Sequence, residues 1–510
     1  MPGKPIVIIH GWSDHSGNFE LLAQHLSERL GRPVSMLRLA DWLSLDDEVT
    51  YDDLVDELDR EWAAHGLPRR GRKTDVVLHS TGALLVRQWM VERCDATSPP
   101  IHRLLMLAPA NFGSALAHHG ASVAGRAKIG FQSAIGKKKG DVRRAFEPGE
   151  RLLDGLELAS SHTWDLAMRD RFDDSARFYE PGRVLCTTLS GNEGNVLLAA
   201  EFDGSDGVVR TAAANLECDH ARVDFTAPPD RPGGPRFGKG PIPRKDLPLR
   251  RVGSSGRTAF RVINGFRHGD VVLNDRTLDD RVRGEGPREL RVSQLDLLEL
   301  MAKALSVTDA RFDAWANACD RATAELTREL DTHRDDEVHG HLNLVVRVRN
   351  QYDQPVRDYF LEIWDDDELN KDGSFKKGRR GRDTSLTRRF QRDVLDDVHA
   401  YGGDPSMRCF HIDCAVFRRE LKPRLKHGLS MSLTATPMLD RRAWKPGGGP
   451  RKGHTRDGFE QVGYYTLEPE DIDRVLIPNE QLDDVFGAHR TLLLDLRLER
   501  CQMPDVVRIS

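Results

Sequence analysis

DVVLHSTGALLVRQWM, residues 75–90, reads as a short apolar strand, a bend at His79-Ser80-Thr81-Gly82, and then a helix. A strand-to-helix turn holds a serine oxygen clear of the sheet, and the helix N-terminus adds backbone donors where negative charge can develop. Gly82 lets strand and helix approach closely, and His79 flanks the bend. A serine that only caps a helix fits the same four residues, so the surroundings have to decide.

Around this stretch the first 270 residues alternate. Apolar strands are predicted at 5–11 (PIVIIHG), 34–39 (VSMLRL), 75–80, 103–109 (RLLMLAP), 184–191 (VLCTTLSG) and 259–265 (AFRVING). Between the early ones, Leu22, Leu26 and Leu30 recur at helical spacing, as do Leu54, Leu58 and Trp62, while Leu85, Trp89 and Met90 share a face. Strands that are apolar throughout and separated by helices imply a mostly parallel sheet covered on both sides, an α/β architecture.

The totals bound the rest. A chain of 510 residues calls for two domains, or a large one with an appendage. With 39% apolar residues, 30% charged residues and a formal net charge of −5, nothing draws the whole chain to nucleic acid, and no nucleic-acid partner is expected. No apolar run approaches the roughly 18 residues of a membrane span. The chain enters a strand at residue 5, so a cleavable signal peptide is not expected and a cytoplasmic location is. Secretion that needs no cleavable signal would leave the same sequence. Seven cysteines, odd in number and without CxxC spacing, argue against a disulfide framework or a zinc site.

Two stretches interrupt the alternation: residues 115–180, read as a helical cap, and 228–257, a basic Pro/Gly-rich surface loop. After about residue 285 the pattern changes. Two helices are predicted within 290–332, and alternating strands from 339 onward read as a β-sandwich-like module. The expected organisation is therefore 1–285, with its cap at about 115–180, a helical connector at 286–335, and an all-β module at 336–510.

The first strand ends in His10-Gly11-Trp12, in a loop expected beside the central strand. The Trp12 amide is a candidate to join that of Thr81 in stabilising an oxyanion, with His10 and Gly11 shaping the loop; a plain strand-ending turn is the alternative.

With these motifs, residues 1–280 resemble an α/β-hydrolase of the lipase/esterase type. The resemblance rests on IIHGW (8–12), on VLHSTGALLVR (77–87) as nucleophile elbow, and on LLMLAPANFGSALA (104–117), similar to the PxxxGS stretch of bacterial lipases. GSDGVVRTAAA (204–214) resembles the segment that carries the acid in several of them. In that fold the acid follows the strand after the cap and the base follows the last strand. The resemblance thus implies Ser80 as nucleophile, Asp206 as acid, with Asp203 and Asp219 as rivals, and His268 as base. His220 is the rival base, but it follows Asp206 too closely to lie beyond another strand.

Leu78 departs from the resemblance, because such elbows usually carry glycine or alanine two residues before the serine. Either the helix is displaced to accommodate it, or the elbow is not catalytic. The implied activity is carboxylic-ester hydrolysis through an acyl-enzyme, without a cofactor, on an ester or lipid such as a phospholipid. An acyltransferase or thioesterase using the same triad, and a non-catalytic interaction protein, stay open. In the cap, Ala115, Leu116, Val123, Ile129, Phe131 and Ile135 suit either an acyl chain or the cap's own core. Lys137-Lys138-Lys139 and the basic loop 231–251 suit either an anionic membrane surface or plain solvation. The oligomeric state is not legible.

Overall fold

The computed structural model describes residues 4–9, 19–37, 48–117, 149–194, 204–224, 244–246, 249–251, 256–332, 339–365, 385–425, 428–435 and 474–498. All six strands expected in the first 270 residues form one parallel sheet. They are β1 (Ile6–Ile9), β2 (Val34–Leu37), β3 (Thr74–His79), β4 (Ile101–Leu107), β5 (Leu185–Gly191) and β9 (Ala259–Ile263), in the order β2-β1-β3-β4-β5-β9. β3 lies inside the sheet, with Leu78 paired to Ile9 on one side and Met106 on the other.

Side chains along β3 alternate between two cores, as the period of a strand requires. Val76 and Leu78 pack with α2 (Tyr51–Ala64) and α3 (Gly82–Arg93), while Val77 joins α1 (Glu20–Leu30) and α6 (Gln294–Ala304) on the opposite face. Burying both faces is why these strands read as unbroken apolar runs. The long helix α7 (Asp309–Leu330) covers the β5–β9 edge through Phe312, Ala316, Leu326 and Leu330. Of the cap, α4 (Glu150–Leu156) and α5 (Ser161–Asp170) are described. Val123, Ile129, Phe131, Ile135 and Lys137 to Lys139 lie outside the described residues.

The second half forms two further sheets. One runs β12-β13-β10-β16-β6-β8, built from Leu395–Ala400, Met407–Asp413, His341–Asn350, Arg490–Leu498, Cys218–Asp224 and Leu249–Arg251. The other runs β11-β14-β15-β7, from Tyr359–Asp365, Gly428–Ala435, Arg474–Pro478 and Arg244–Asp246. Leu342, Leu344 and Val346 of β10 meet Leu361, Ile363, Leu429 and Met431 between the two sheets, so the module is a sandwich.

The division expected at residue 285 does not separate the sheets. β6, β7 and β8 leave the first half of the chain to pair with strands of the second. The outer face of the second sheet also packs on the cap, with Val345, Cys409 and Leu493 against Trp164, Ala167 and Phe172. The expected surface loop 228–257 accordingly includes two short strands, and its residues 228–243, 247–248 and 252–255 lie outside the described ones. Among the described residues, no helix is long and apolar enough to cross a membrane.

Candidate active site

β3 ends at His79 and α3 begins at Gly82, leaving Ser80 at the crown of the turn with φ +55°. A non-glycine residue pays a steric penalty in this left-handed region, and such strain persists only where the surroundings fix it. Here they do. The Ser80 amide donates to the Leu107 carbonyl at 3.1 Å, and the Ser80 carbonyl accepts from the amides of Ala83 and Ala110, each at 3.2 Å. Leu78 does not prevent this bend, because its side chain is fully buried in the core beneath α2 and α3.

His268 lies in the loop after β9. Its Nε2 is 3.0 Å from Ser80 Oγ, and its Nδ1 is 2.9 Å from Asp206 Oδ2. Nδ1 facing a carboxylate carries the proton, which leaves Nε2 to accept the serine hydrogen. The base is held by its backbone as well: the His268 amide donates to the Asp206 carbonyl at 2.9 Å, and His79 Nε2 donates to the His268 carbonyl at 3.1 Å. The rings of His79 and His268 sit 4.7 Å apart. The loop can cross here because β5 ends in Gly191, where a Cβ would stand 2.0 Å from the Phe266 carbonyl oxygen.

Asp206 is buried in a tight turn of its own residues. Its Oδ1 accepts from the amides of Val208 (3.0 Å) and Val209 (2.8 Å), so Oδ2 is left facing the imidazole. Ser114 Oγ donates to the Val208 carbonyl at 2.6 Å and fastens the turn from the other side. The rivals lie elsewhere. Asp219 and His220 are on β6 of the second sheet, where Asp219 faces Arg490 at 3.4 Å and His220 packs against Phe172 and Trp164. Asp203 lies outside the described residues.

Thr81, at the N-terminus of α3, is 4% exposed, and among the described residues its backbone N–H takes no acceptor. A donor so placed suits an oxygen that gains charge beside Ser80. Its expected companion Trp12, with His10 and Gly11, lies outside the described residues.

The sequence reading missed Arg87. It is fully buried within α3, and its guanidinium holds Asp170 of α5 through Nε at 2.7 Å and Nη2 at 2.9 Å. Nη1 donates to the Asn111 carbonyl at 2.6 Å, and Tyr179 adds a hydroxyl to Asp170 at 3.1 Å. Burial works against the Arg87 charge, but Asp170 outweighs it and holds the guanidinium pKa above its ordinary value. The helix that carries Ser80 at its tip is thereby tied to the cap and to the loop after β4. An arginine placed among Leu84, Leu85, Val86 and Trp89 was the available signal.

No protein-family model matches the chain, and no curated protein matches it in sequence. Solved structures do. The phospholipase PlaB from Legionella pneumophila, in complex with thio-NAD, aligns with a TM-score of 0.67 at 20% identity, over 99% of this chain and 96% of that one. A second structure of the same phospholipase gives 0.67 at 19% identity over the same shares. The lipase BlEst2 from Bacillus licheniformis aligns with 42% of this chain and 81% of its own at 18% identity, with a TM-score of 0.29. The PlaB alignment spans the first sheet and the sandwich alike, and the chain has an α/β-hydrolase fold followed by that β module.

Proposed function

We propose that this protein is a carboxylic-ester hydrolase working through Ser80, His268 and Asp206, with phospholipid as the favoured substrate. One observation carries the reading: a serine oxygen in a left-handed turn, 3.0 Å from an imidazole whose other nitrogen meets a buried carboxylate. His268 Nε2 takes the Ser80 proton as Oγ attacks the ester carbonyl, and the oxyanion that forms turns to the Thr81 amide. The same nitrogen returns the proton to the departing alkoxide. Water, deprotonated in turn by His268, releases the acid from Ser80. Each step uses groups of this chain, the substrate and one water.

The phospholipid preference rests on fold-level likeness, since the protein matched over nearly its whole length is called a phospholipase. A lipid surface is the corresponding partner, with Lys137 to Lys139 and the basic residues of 231–251 as candidates to meet its head groups. The non-catalytic reading was favoured by Leu78, and that residue is accommodated in the core without loss of the elbow.

The test compares wild type with Ser80→Ala on p-nitrophenyl esters of graded chain length and on phosphatidylglycerol or phosphatidylcholine vesicles. The expected outcome is a loss of at least about 10³-fold on both substrates. Equal rates in the two proteins would refute the serine mechanism. Turnover of the p-nitrophenyl esters without fatty-acid release from vesicles would refute the phospholipid assignment alone.

A further inference from the structure

Outside the Ser80 site, three neighbouring strands of the second sheet bring together two buried histidines and a carboxylate. His341 opens β10, and His411 lies on β13 opposite Asn343. Asp396 is the extra residue of a bulge in β12, between Leu395, which pairs with Ile412, and Asp397, which pairs with His411. Bulges re-aim a side chain at the expense of ladder pairing. One ligand atom from each of His341, Asp396 and His411 lies within 4.8 Å of the others.

The protonation pattern is that of ligands. His341 Nδ1 lies 3.0 Å from the His339 carbonyl oxygen, which can only accept, so Nδ1 carries the hydrogen and Nε2 a lone pair. That Nε2 is buried, in a residue with no exposed surface, and has no hydrogen-bond partner among the described residues. Asp396 Oδ2 stands 3.8 Å away, beyond hydrogen-bond reach. His411 Nδ1 meets Asn343 Oδ1 at 2.8 Å, and the two imidazoles stack with centroids 4.4 Å apart and planes 8° apart. Both rings are thus anchored through Nδ1, as metal-binding imidazoles are when a carbonyl or amide fixes the far nitrogen.

We propose that His341 Nε2, His411 Nε2 and the Asp396 carboxylate bind a divalent transition-metal cation, zinc by the nature of the donors. Two nitrogens and one carboxylate suit zinc, whereas calcium and magnesium take oxygen sets. Three protein donors leave the fourth tetrahedral position to solvent, and the 30% exposure of the Asp396 side chain gives the ion its way in. The site also has a neighbour that matters. Gly204, at the start of the turn holding Asp206, lies so close that a Cβ there would stand 2.6 Å from His341 Nδ1. Arg210, at the end of that turn, reaches Asp397 at 2.9 Å. A cation joining β10, β12 and β13 would brace the surface on which the Asp206 turn rests.

The test uses the full chain, stripped by chelator and dialysed, titrated calorimetrically with ZnCl₂, with MgCl₂ and CaCl₂ as controls, and followed by thermal unfolding. One zinc per chain and a midpoint raised by several degrees are expected, with no response to magnesium or calcium. Asp396→Asn, at a partly exposed position and with the metal-free fold checked by circular dichroism, should weaken zinc binding at least 10-fold, and His411→Gln should abolish it. Ser80→Ala should bind zinc as wild type does, which keeps this proposal independent of the hydrolase reading. No zinc uptake, or uptake unchanged by Asp396→Asn, would overturn it whether or not His411→Gln folds.

Discussion

His268 Nε2 stands 3.0 Å from Ser80 Oγ although 188 residues separate them. The contact is set by backbone more than by the two side chains. Ser80 is clamped to the end of β4, His268 is bonded through its own amide and carbonyl to Asp206 and His79, and Gly191 clears the path between. Geometry held in this way resists change at the surface and responds to change in its supports.

Asp206→Asn tests the orienting carboxylate. The Asn oxygen can still accept from the Val208 and Val209 amides, so the turn should persist. Its amide would then face His268 Nδ1 and favour the wrong tautomer. kcat should fall about 10³–10⁴-fold with KM and the unfolding midpoint little changed. Steady-state kinetics beside circular dichroism would check this, and a loss of less than about 10-fold would remove Asp206 from the triad.

Leu78→Ala restores the small residue that related elbows carry, and it should harm the protein. The side chain is fully buried between the sheet and α3, so truncation should cost about 2–5 kcal/mol in denaturant unfolding. kcat measured well below the midpoint should stay within a few-fold of wild type. A faster and equally stable variant would mean that Leu78 obstructs the elbow.

Breaking the Arg87–Asp170 pair should be costly in a revealing way. Arg87→Met leaves the Asp170 carboxylate buried with, among the described residues, the Tyr179 hydroxyl as its remaining side-chain partner, and about 3–5 kcal/mol of stability should be lost. Adding Asp170→Leu should recover a large part of it, because the uncompensated charge goes too. Additive losses in the double-mutant cycle would show that the pair is not coupled.

Acid should weaken the cap through His162. Burial, helped by the nearby Arg87 charge, pushes its pKa down from 6.5 to about 4, and its ring stacks on Tyr51 at 4.2 Å. The folded chain then binds fewer protons than the unfolded one between those values. The stabilisation is present above pH 6.5 and is lost as pH falls toward 4, on the order of 3 kcal/mol. His162→Phe, which keeps the stacking, should flatten that part of the stability–pH curve. An unchanged slope would place the titration elsewhere.

Much of the first half was legible because its signals are local. Six unbroken apolar runs became six strands of one sheet, and Ser80 and His268 follow the strands they were assigned to. What failed to show was non-local. β6 reads as Cys218-Asp-His-Ala-Arg-Val-Asp224, half polar, and nothing in it announces a partner strand near residue 494. β12 carries charge at Asp396 and Asp397 and shows no apolar run. His341, Asp396 and His411 escaped because zinc was sought in cysteine spacing, whereas these donors meet only through sheet register and a bulge. Arg87 escaped because a charged residue on a helix ordinarily faces water.

The central claim is that Ser80 Oγ is a nucleophile made basic by His268. The most direct measurement is labelling of the intact protein with a fluorophosphonate, followed by peptide mass spectrometry. Covalent addition at Ser80, absent in Ser80→Ala and slowed at least about 10²-fold in His268→Ala, is the expected result. A wild-type protein that stays unlabelled at Ser80, or that labels equally well without His268, would contradict it.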